Sequence, residues 1–142
     1  TVKSSLRVPA KVIAKAVSRL QSDTETWKKT HAVHSAGMFT ENGTLIGIVE
    51  DISRHSAFDK VIGRALLDNC DFSSVFVAVS GRITKDMVIK AAHLGIAVIA
   101  SRSTVIEPAV TVASALEMTI IGYVRGDHLV VFSHPERITA GE

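Results

Sequence analysis

The sequence predicts a three-layer α/β/α sandwich built on a mixed, mainly parallel β-sheet. Apolar runs of strand length alternate with amphipathic segments of about twelve residues, which favours parallel pairing through crossover helices. The 142 residues suffice for a single domain with a substantial core, since 46% are hydrophobic and 21% charged. An Asn-Gly dipeptide between two early apolar runs adds an antiparallel hairpin. We expect this hairpin and the last strand to supply antiparallel edges.

The first elements are a helix and the hairpin. A proline suited to a first helical turn precedes apolar residues at helical spacing, which predicts a helix over residues 9–21. Residues 22–30 are polar and are expected to form a loop or a short helix. The turn at Asn42-Gly43 predicts strands over residues 36–41 and 44–50.

Helices and strands then alternate to the end of the chain. The run Val75–Val79 is wholly apolar, as is typical of a strand covered on both faces. Thr84 is suited to capping the next helix, and Gly95 to ending it. The expected elements are a helix over 54–69, a strand over 74–80, a helix over 84–94, a strand over 97–100, a helix over 106–117, and strands over 119–124 and 128–132.

Composition excludes several classes of protein. One cysteine cannot form a disulfide framework or a multi-thiolate metal site. A net charge of +2 gives no sign of a nucleic-acid partner. No apolar run is long enough to predict a membrane span, and no signal peptide is visible, which favours the cytoplasm. The chain opens on Thr1 without an initiator methionine, so we expect a processed chain or a fragment.

Polar clusters follow three of the predicted strands, at residues 50–55, 80–82 and 101–104. Because the carboxyl ends of parallel strands meet at one edge of a sheet, these clusters are expected to lie together and to form a pocket for phosphate groups. Taken singly, each hydroxyl could instead cap a helix, and each arginine could be solvated. The hydroxyls concerned are Ser53, Ser80, Ser103 and Thr104, and the arginines are Arg54, Arg82 and Arg102.

The helix that begins near residue 54 carries a second polar pattern. His55, Asp59 and Gly63 lie at i, i+4 and i+8, in one row beside the apolar stripe. Asp59 could bond to His55 and fix its tautomer, or could simply favour the helix dipole. A glycine inside a helix costs about 1 kcal/mol, which a close approach by another backbone would explain. Lys60 lies on a different face, where solvation is expected.

Histidines and the cysteine allow further readings. His31, His34 and His55 could hold zinc in a metal-dependent hydrolase, but structural or ligand-binding roles are favoured because no carboxylate completes a recognised metal pattern. Cys70 lies between Asp68 and Asp71, which raise a thiol pKa, so a structural or surface thiol is expected rather than a nucleophile. No phosphate-binding loop, dinucleotide fingerprint or hydrolase elbow occurs in the sequence.

Two motifs resemble a known family. Thr30-His-Ala-Val-His34-Ser-Ala36 resembles a TGGVHAA segment, and Glu50-Asp-Ile-Ser-Arg-His-Ser-Ala-Phe-Asp-Lys-Val-Ile-Gly63 resembles EDVGRHNAVDKVIG. Ser80-Gly-Arg82 and Val124-Arg-Gly-Asp127 continue the match, which runs from about residue 30 to residue 132. On these motifs the chain is similar to the formate dehydrogenase accessory sulfurtransferases, the FdhD/NarQ family.

The resemblance implies a cytidine-deaminase-like fold and a role in cofactor sulfuration. Family members take sulfur from a cysteine desulfurase and pass it to the molybdenum or tungsten bis(pyranopterin guanine dinucleotide) cofactor of formate dehydrogenase, usually as homodimers. No zinc is expected. The residues that match family positions, and so are expected to bind the cofactor, are His34, Asp51, Arg54, His55, Asp59, Lys60, Ser80, Gly81, Arg82 and Ser103.

The sequence also departs from the family pattern. The Cys-x-x-Cys that carries sulfur in the family is absent, as is the preceding segment of β structure. His31 stands where the family has glycine, and the His-x-Glu and Pro-Cys-x-x-Cys zinc signature of deaminases is missing. We therefore expect residues 1–142 to be one cofactor-binding domain of such a sulfurtransferase. The alternative is a module that binds the cofactor, or acts as a chaperone, without transferring sulfur.

Overall fold

The computed structural model describes residues 1–22 and 33–140 and contains helices on both faces of a six-stranded sheet. The helices are α1 (Ala10–Ser22), α2 (Arg54–Leu67), α3 (Lys85–Leu94) and α4 (Glu107–Ala115). The strands are β1 (Val8–Pro9), β2 (His34–Thr40), β3 (Leu45–Asp51), β4 (Val75–Val79), β5 (Val98–Ser101), β6 (Thr119–Arg125), β7 (His128–Ser133) and β8 (Ile138–Thr139).

The main sheet has the strand order β3-β2-β4-β5-β6-β7. Strand β4 pairs in parallel with β5, and β5 with β6, whereas β2 is antiparallel to both β3 and β4, and β7 is antiparallel to β6. The mixed sheet is thus confirmed, but the expectation of mainly parallel pairing is wrong. The cause is that β2, and not β3, pairs with β4, which inserts an antiparallel strand between two strands of common direction.

The layers follow from the connections. Strands β3, β4, β5 and β6 run in the same direction, and α2, α3 and α4 connect them in order, so right-handed crossovers place these three helices on one face. Helix α1 packs on the opposite face against β2, β4 and β6. Three fully buried phenylalanines lie in the core, and two of them stack with ring centroids 5.6 Å apart; they are Phe39, Phe58 and Phe76.

Local signals in the sequence end and begin the helices. Ser53 accepts a hydrogen bond from the Ser56 N–H at the start of α2, and Thr84 accepts one from Met87 N–H at the start of α3. Gly95 ends α3 with a φ of +84°, which glycine adopts without steric cost. Helix α4 begins after Ile106 without a side-chain cap, so Ser103 and Thr104 do not cap it.

The expected elements between residues 34 and 133 all form, with bounds within two residues of those predicted. The structure adds a two-residue parallel ribbon of β1 and β8, in which Pro9 precedes α1 instead of opening it. The prediction for residues 22–30 falls almost wholly outside the described residues. Across residues 1–22 and 33–140, every helix is too short or too polar to cross a membrane.

Candidate functional site

The predicted polar clusters meet at one edge of the sheet. Strands β3, β4 and β5 share a direction, so residues 50–55, 80–82 and 101–104 follow their carboxyl ends on the same side. Strand β2 runs the other way and therefore begins at this edge, with His34. The antiparallel register places His34 opposite Asp51. The edge thus gathers basic and hydroxyl side chains from four strands.

Backbone and side-chain bonds fix His34 beside the end of β4. The Ser80 hydroxyl accepts from the Ser35 N–H at 2.9 Å and lies 3.4 Å from His34 Nδ1. The Ser80 N–H donates to the Ser35 carbonyl at 3.0 Å. Ser80 is therefore used to join β4 to β2 and does not cap a helix.

Gly81 lets the imidazole and the start of α2 approach each other. A Cβ atom at Gly81 would lie 3.0 Å from His34 Nδ1 and 3.1 Å from the Cβ of Arg54. Both distances are tighter than ordinary van der Waals contact, so a larger residue would push these groups apart. We call His34, Arg54, Ser80, Gly81 and Arg82 the edge cluster.

Arg54 carries an unsatisfied donor within this cluster. It is the first residue of α2, and its Nε is buried without a hydrogen-bond partner among the described residues. A buried N–H without an acceptor costs free energy, and in native proteins such donors generally have a partner. An anion bound at the edge cluster would supply that acceptor, next to the N-terminus of α2.

The edge cluster is electrostatically positive. The pKa of His34 is lowered from its usual 6.5, first by burial and then by the charges of Arg54 and Arg82. The imidazole is therefore mainly neutral at pH 7. Arg82 is exposed, and Arg54 is partly buried. Together they offer planar donor groups that suit a phosphate.

Asp51 and Lys60 form an ion pair beside the cluster. Lys60 Nζ lies 2.8 Å from Asp51 Oδ2 and donates to the Glu50 carbonyl at 3.0 Å. The Lys60 bond and the Ser53 N–H hold the pKa of Asp51 below its usual range. Lys60 is thus half-exposed but paired, and the expectation that it is merely solvated is wrong. The Lys60 side chain thus reaches from α2 to the end of β3.

The residues in the row along α2, His55 and Asp59, contact other partners and not each other. Asp59 does not bond to His55; it forms an ion pair with Lys90 of α3, with an Nζ–Oδ1 distance of 2.9 Å. His55 Nε2 lies 3.1 Å from the Thr84 hydroxyl. In both cases a partner from the next crossover lies within hydrogen-bonding distance. Near Gly63, no other atom would approach an added Cβ within 4 Å, so the expected close backbone approach is absent from the described part of the chain.

Ser101 also lies at this edge and has a structural role, although the sequence did not indicate it as a site residue. Its buried hydroxyl donates to the Gly81 carbonyl at 2.5 Å and accepts from the Ser103 N–H at 2.9 Å. The Ser103 carbonyl in turn accepts from the Tyr123 N–H at 2.8 Å. Ser103 is therefore held toward β6, away from His34. The polar run after β5 was the signal that could have indicated Ser101.

The zinc hypothesis gains no support from the residues that the structure describes. Among residues 1–22 and 33–140, no group of three His, Cys, Asp or Glu is arranged to hold a metal ion. His31 lies outside the described residues. Cys70 is partly buried, and its Sγ lies 4.0 Å from Met38 Sδ. Burial, followed by Asp71 and Asp68, raises the pKa of this thiol, as the sequence predicted.

Comparisons with known proteins agree on one family. The FdhD/NarQ family profile matches residues 1–139. A relative named sulfur carrier protein FdhD, from Methanothermobacter thermautotrophicus, is 38% identical over 137 residues, which are 96% of this chain and 54% of the relative. A protein of the same name from Listeria monocytogenes is 36% identical over 95% of this chain and 51% of its own.

A solved structure gives the same result. A crystal structure described as a formate dehydrogenase accessory protein from Desulfotalea psychrophila matches with a TM-score of 0.89 and 33% identity, over 98% of this chain and 59% of that one. The chain spans about half the length of the curated relatives it matches. The family profile over residues 1–139 and the motifs around His34 and Arg54 carry the assignment. The chain belongs to the FdhD/NarQ family.

Proposed function

We propose that this chain supplies the cofactor-binding part of a sulfur carrier that serves formate dehydrogenase. Its ligand is the guanine dinucleotide form of the molybdenum or tungsten cofactor, whose pyrophosphates bind at the edge cluster. The observation that carries the proposal is the Arg54 Nε beside Arg82 and His34, which is buried and has no hydrogen-bond partner within residues 1–22 and 33–140. A donor in that state fits an anionic oxygen, and the helix N-terminus adds a favourable dipole.

Each member of the site has a separate role in this proposal. Arg54 and Arg82 donate to phosphate oxygens, and His34, whose Nδ1 lies 3.4 Å from the Ser80 hydroxyl, contributes a ring N–H. Gly81 leaves the space that a side chain would fill. The paired Asp51 and Lys60 hold the loop that joins β3 to α2. When bound, the cofactor supplies the metal centre that receives sulfur.

The sulfur itself is not carried by Cys70 in this proposal. The pKa of this thiol is raised, and Met38 packs against its sulfur, so the reactive thiolate is scarce. It is the sole cysteine among the 142 residues. We therefore assign binding and orientation of the cofactor to this stretch, while a cysteine desulfurase donates the sulfur and formate dehydrogenase receives the finished cofactor.

Calorimetric titration with GDP tests the binding role. We expect wild-type protein to bind GDP, and Arg82→Gln to weaken binding about ten- to hundredfold, since a charge-assisted bond to phosphate contributes roughly 1.5–3 kcal/mol. Arg64→Gln removes an exposed arginine that lies against Gly47, and it serves as the matched control with unchanged affinity. Absence of heat together with absence of a GDP-induced rise in Tm would contradict the proposal. Equal weakening by Arg64→Gln would contradict it as well.

A further inference from the structure

A second polar cavity lies on the α1 side of the sheet. It has a volume of about 190 Å³ and is bounded by α1, the end of β5 and the turn between β6 and β7. None of the edge-cluster residues lines it. We call it the α1 cavity, and its lining residues are Ala14, Val17, Ser18, Gln21, Arg102, Val124, Arg125 and Gly126.

The polar groups of the α1 cavity are all able to donate hydrogen bonds. Arg102 and Arg125 supply two guanidiniums, and Ser18 and Gln21 supply a hydroxyl and an amide. The Gln21 amide, with its oxygen turned toward Arg102, accepts from that guanidinium and holds it in the cavity wall. No carboxylate is among the described residues that line this cavity. Two positive charges, one of them held by Gln21, together with neutral donors suit a dianion.

The floor of the cavity is apolar and the walls are held in place. Val17 and Val124 are each 2% exposed, so they give the cavity a packed apolar floor, while Ser18 and Arg125 line its open side. Tyr123 has a φ of +54° and donates its N–H to the Ser103 carbonyl, which fixes the strand end that bears Arg125 relative to the loop that bears Arg102.

Positive charge continues along the outer side of α1. A neighbouring depression of about 290 Å³ shares Ala14, Ser18 and Gly126 with the α1 cavity. Lys11 and Lys15 also line it, against one acid, Asp127. The approach to the α1 cavity is therefore mainly basic, which attracts an anion before it binds.

From this arrangement we infer that the α1 cavity is a second anion site, which takes a phosphate or pyrophosphate group of a small ligand. The site is independent of the proposed function, because it shares none of its lining residues with the edge cluster. Phosphate is favoured over carboxylate because two planar guanidiniums can bind a tetrahedral dianion in a bidentate manner.

Calorimetric titration with inorganic pyrophosphate tests the inference and separates it from the proposed function. We expect wild-type protein to bind about two equivalents, Arg125→Gln to lose one of them while GDP affinity is unchanged, and Arg82→Gln to weaken the other as it weakens GDP. Arg125 and Ser18 are exposed, so Arg125→Gln and a second variant, Ser18→Ala, should fold normally; Ser18→Ala should weaken the same equivalent severalfold. Arg64→Gln is the control that should keep both.

The results of these titrations distinguish the α1 cavity from the edge cluster. Loss of one equivalent in Arg125→Gln, with the other intact, supports the α1 cavity whether or not Arg82→Gln affects GDP. If Arg125→Gln keeps the wild-type stoichiometry and affinity, or if wild-type protein binds no pyrophosphate, the inference is overturned. Citrate that competes for the Arg125-dependent equivalent as strongly as pyrophosphate overturns the preference for phosphate.

Discussion

At the scale of single residues, the environment of His34 predicts that protonation and anion binding are coupled. Its pKa is lowered by burial and by Arg54 and Arg82, so the folded protein disfavours the imidazolium. Above the unfolded-state pKa of 6.5, His34 does not reduce the stability of the folded protein. As the pH falls below 6.5, the free energy of unfolding decreases, because the unfolded chain takes up the proton more readily. A bound anion offsets the guanidinium charges and raises the pKa of His34 again, so binding takes up a proton.

We therefore expect sulfate to bind more tightly as the pH falls from about 7.5 to about 5.5, by about tenfold for each pKa unit that the anion restores. Sulfate is the suitable probe because it stays a dianion through this range. His34→Gln should flatten the dependence in calorimetric titrations. His93→Gln is the matched control, since His93 is an exposed histidine in the last turn of α3, and it should keep the slope. An unchanged slope in His34→Gln would refute the coupling.

The sequence predicted the members of the edge cluster better than it predicted their partners. Arg54, Ser80 and Arg82 follow strand ends, and the shared direction of those strands was enough to bring them to one edge. The pairing of Asp59 with Lys90 was missed because spacing within one helix says nothing about which side chain of the next helix lies opposite. Two crossovers had to be placed before that contact could be known.

At the scale of elements, α2 contains a glycine without a local structural reason. Gly63 lies in the middle of the helix, and an added Cβ would meet nothing within 4 Å. It borders an open groove with Leu66, which is 51% exposed, and Leu94. Because the described residues do not need the small side chain, alanine should improve helix propensity at no steric cost.

Gly63→Ala is expected to stabilise the protein by about 0.5–1 kcal/mol and to raise Tm by about 2–4 °C. Thermal and urea unfolding followed by circular dichroism would measure this gain. Gly95→Ala is the control: it also adds a methyl group to open space, but the φ of +84° makes it destabilising. A lower Tm for Gly63→Ala would show that the helix packs against something at this position.

The order of the strands in the sheet was harder to predict from the sequence than the position of each element along the chain. The hairpin turn at Asn42-Gly43 and the caps at Thr84 and Gly95 are local, so short-range chemistry was enough to place them. Which hairpin strand pairs with β4 depends on the fit of whole strands in the sheet. Strand β2 is buried along most of its length and β3 is not, which is the physical difference that puts β2 inside the sheet and leaves β3 as an edge.

At the scale of the whole molecule, one arginine ties the two described ends of the chain together. Arg137 is 6% exposed and donates to the Glu117 carbonyl at 2.6 Å, to the Thr119 hydroxyl at 3.2 Å and to the Val2 carbonyl at 3.3 Å. The Val2 N–H donates to the Leu116 carbonyl at 2.8 Å. These bonds surround the start of β6, whereas both proposed anion sites lie at the opposite edge of the sheet.

This separation predicts that Arg137 affects stability and not binding. Arg137→Met keeps most of the side-chain volume but removes the donor to the buried Val2 carbonyl and the partly buried Glu117 carbonyl, so we expect a loss of about 2–3 kcal/mol in the free energy of unfolding. The affinities for GDP and pyrophosphate should stay at their wild-type values, because β6 spans seven residues, roughly 23 Å, between the two regions. Urea unfolding and calorimetry on the same samples measure both. Arg7→Met, which removes an exposed arginine that donates to the neighbouring Leu6 carbonyl, is the matched control and should leave stability nearly unchanged. Weaker anion binding in folded Arg137→Met would mean that the two edges of the sheet are coupled, and it would contradict the prediction that Arg137 affects stability alone.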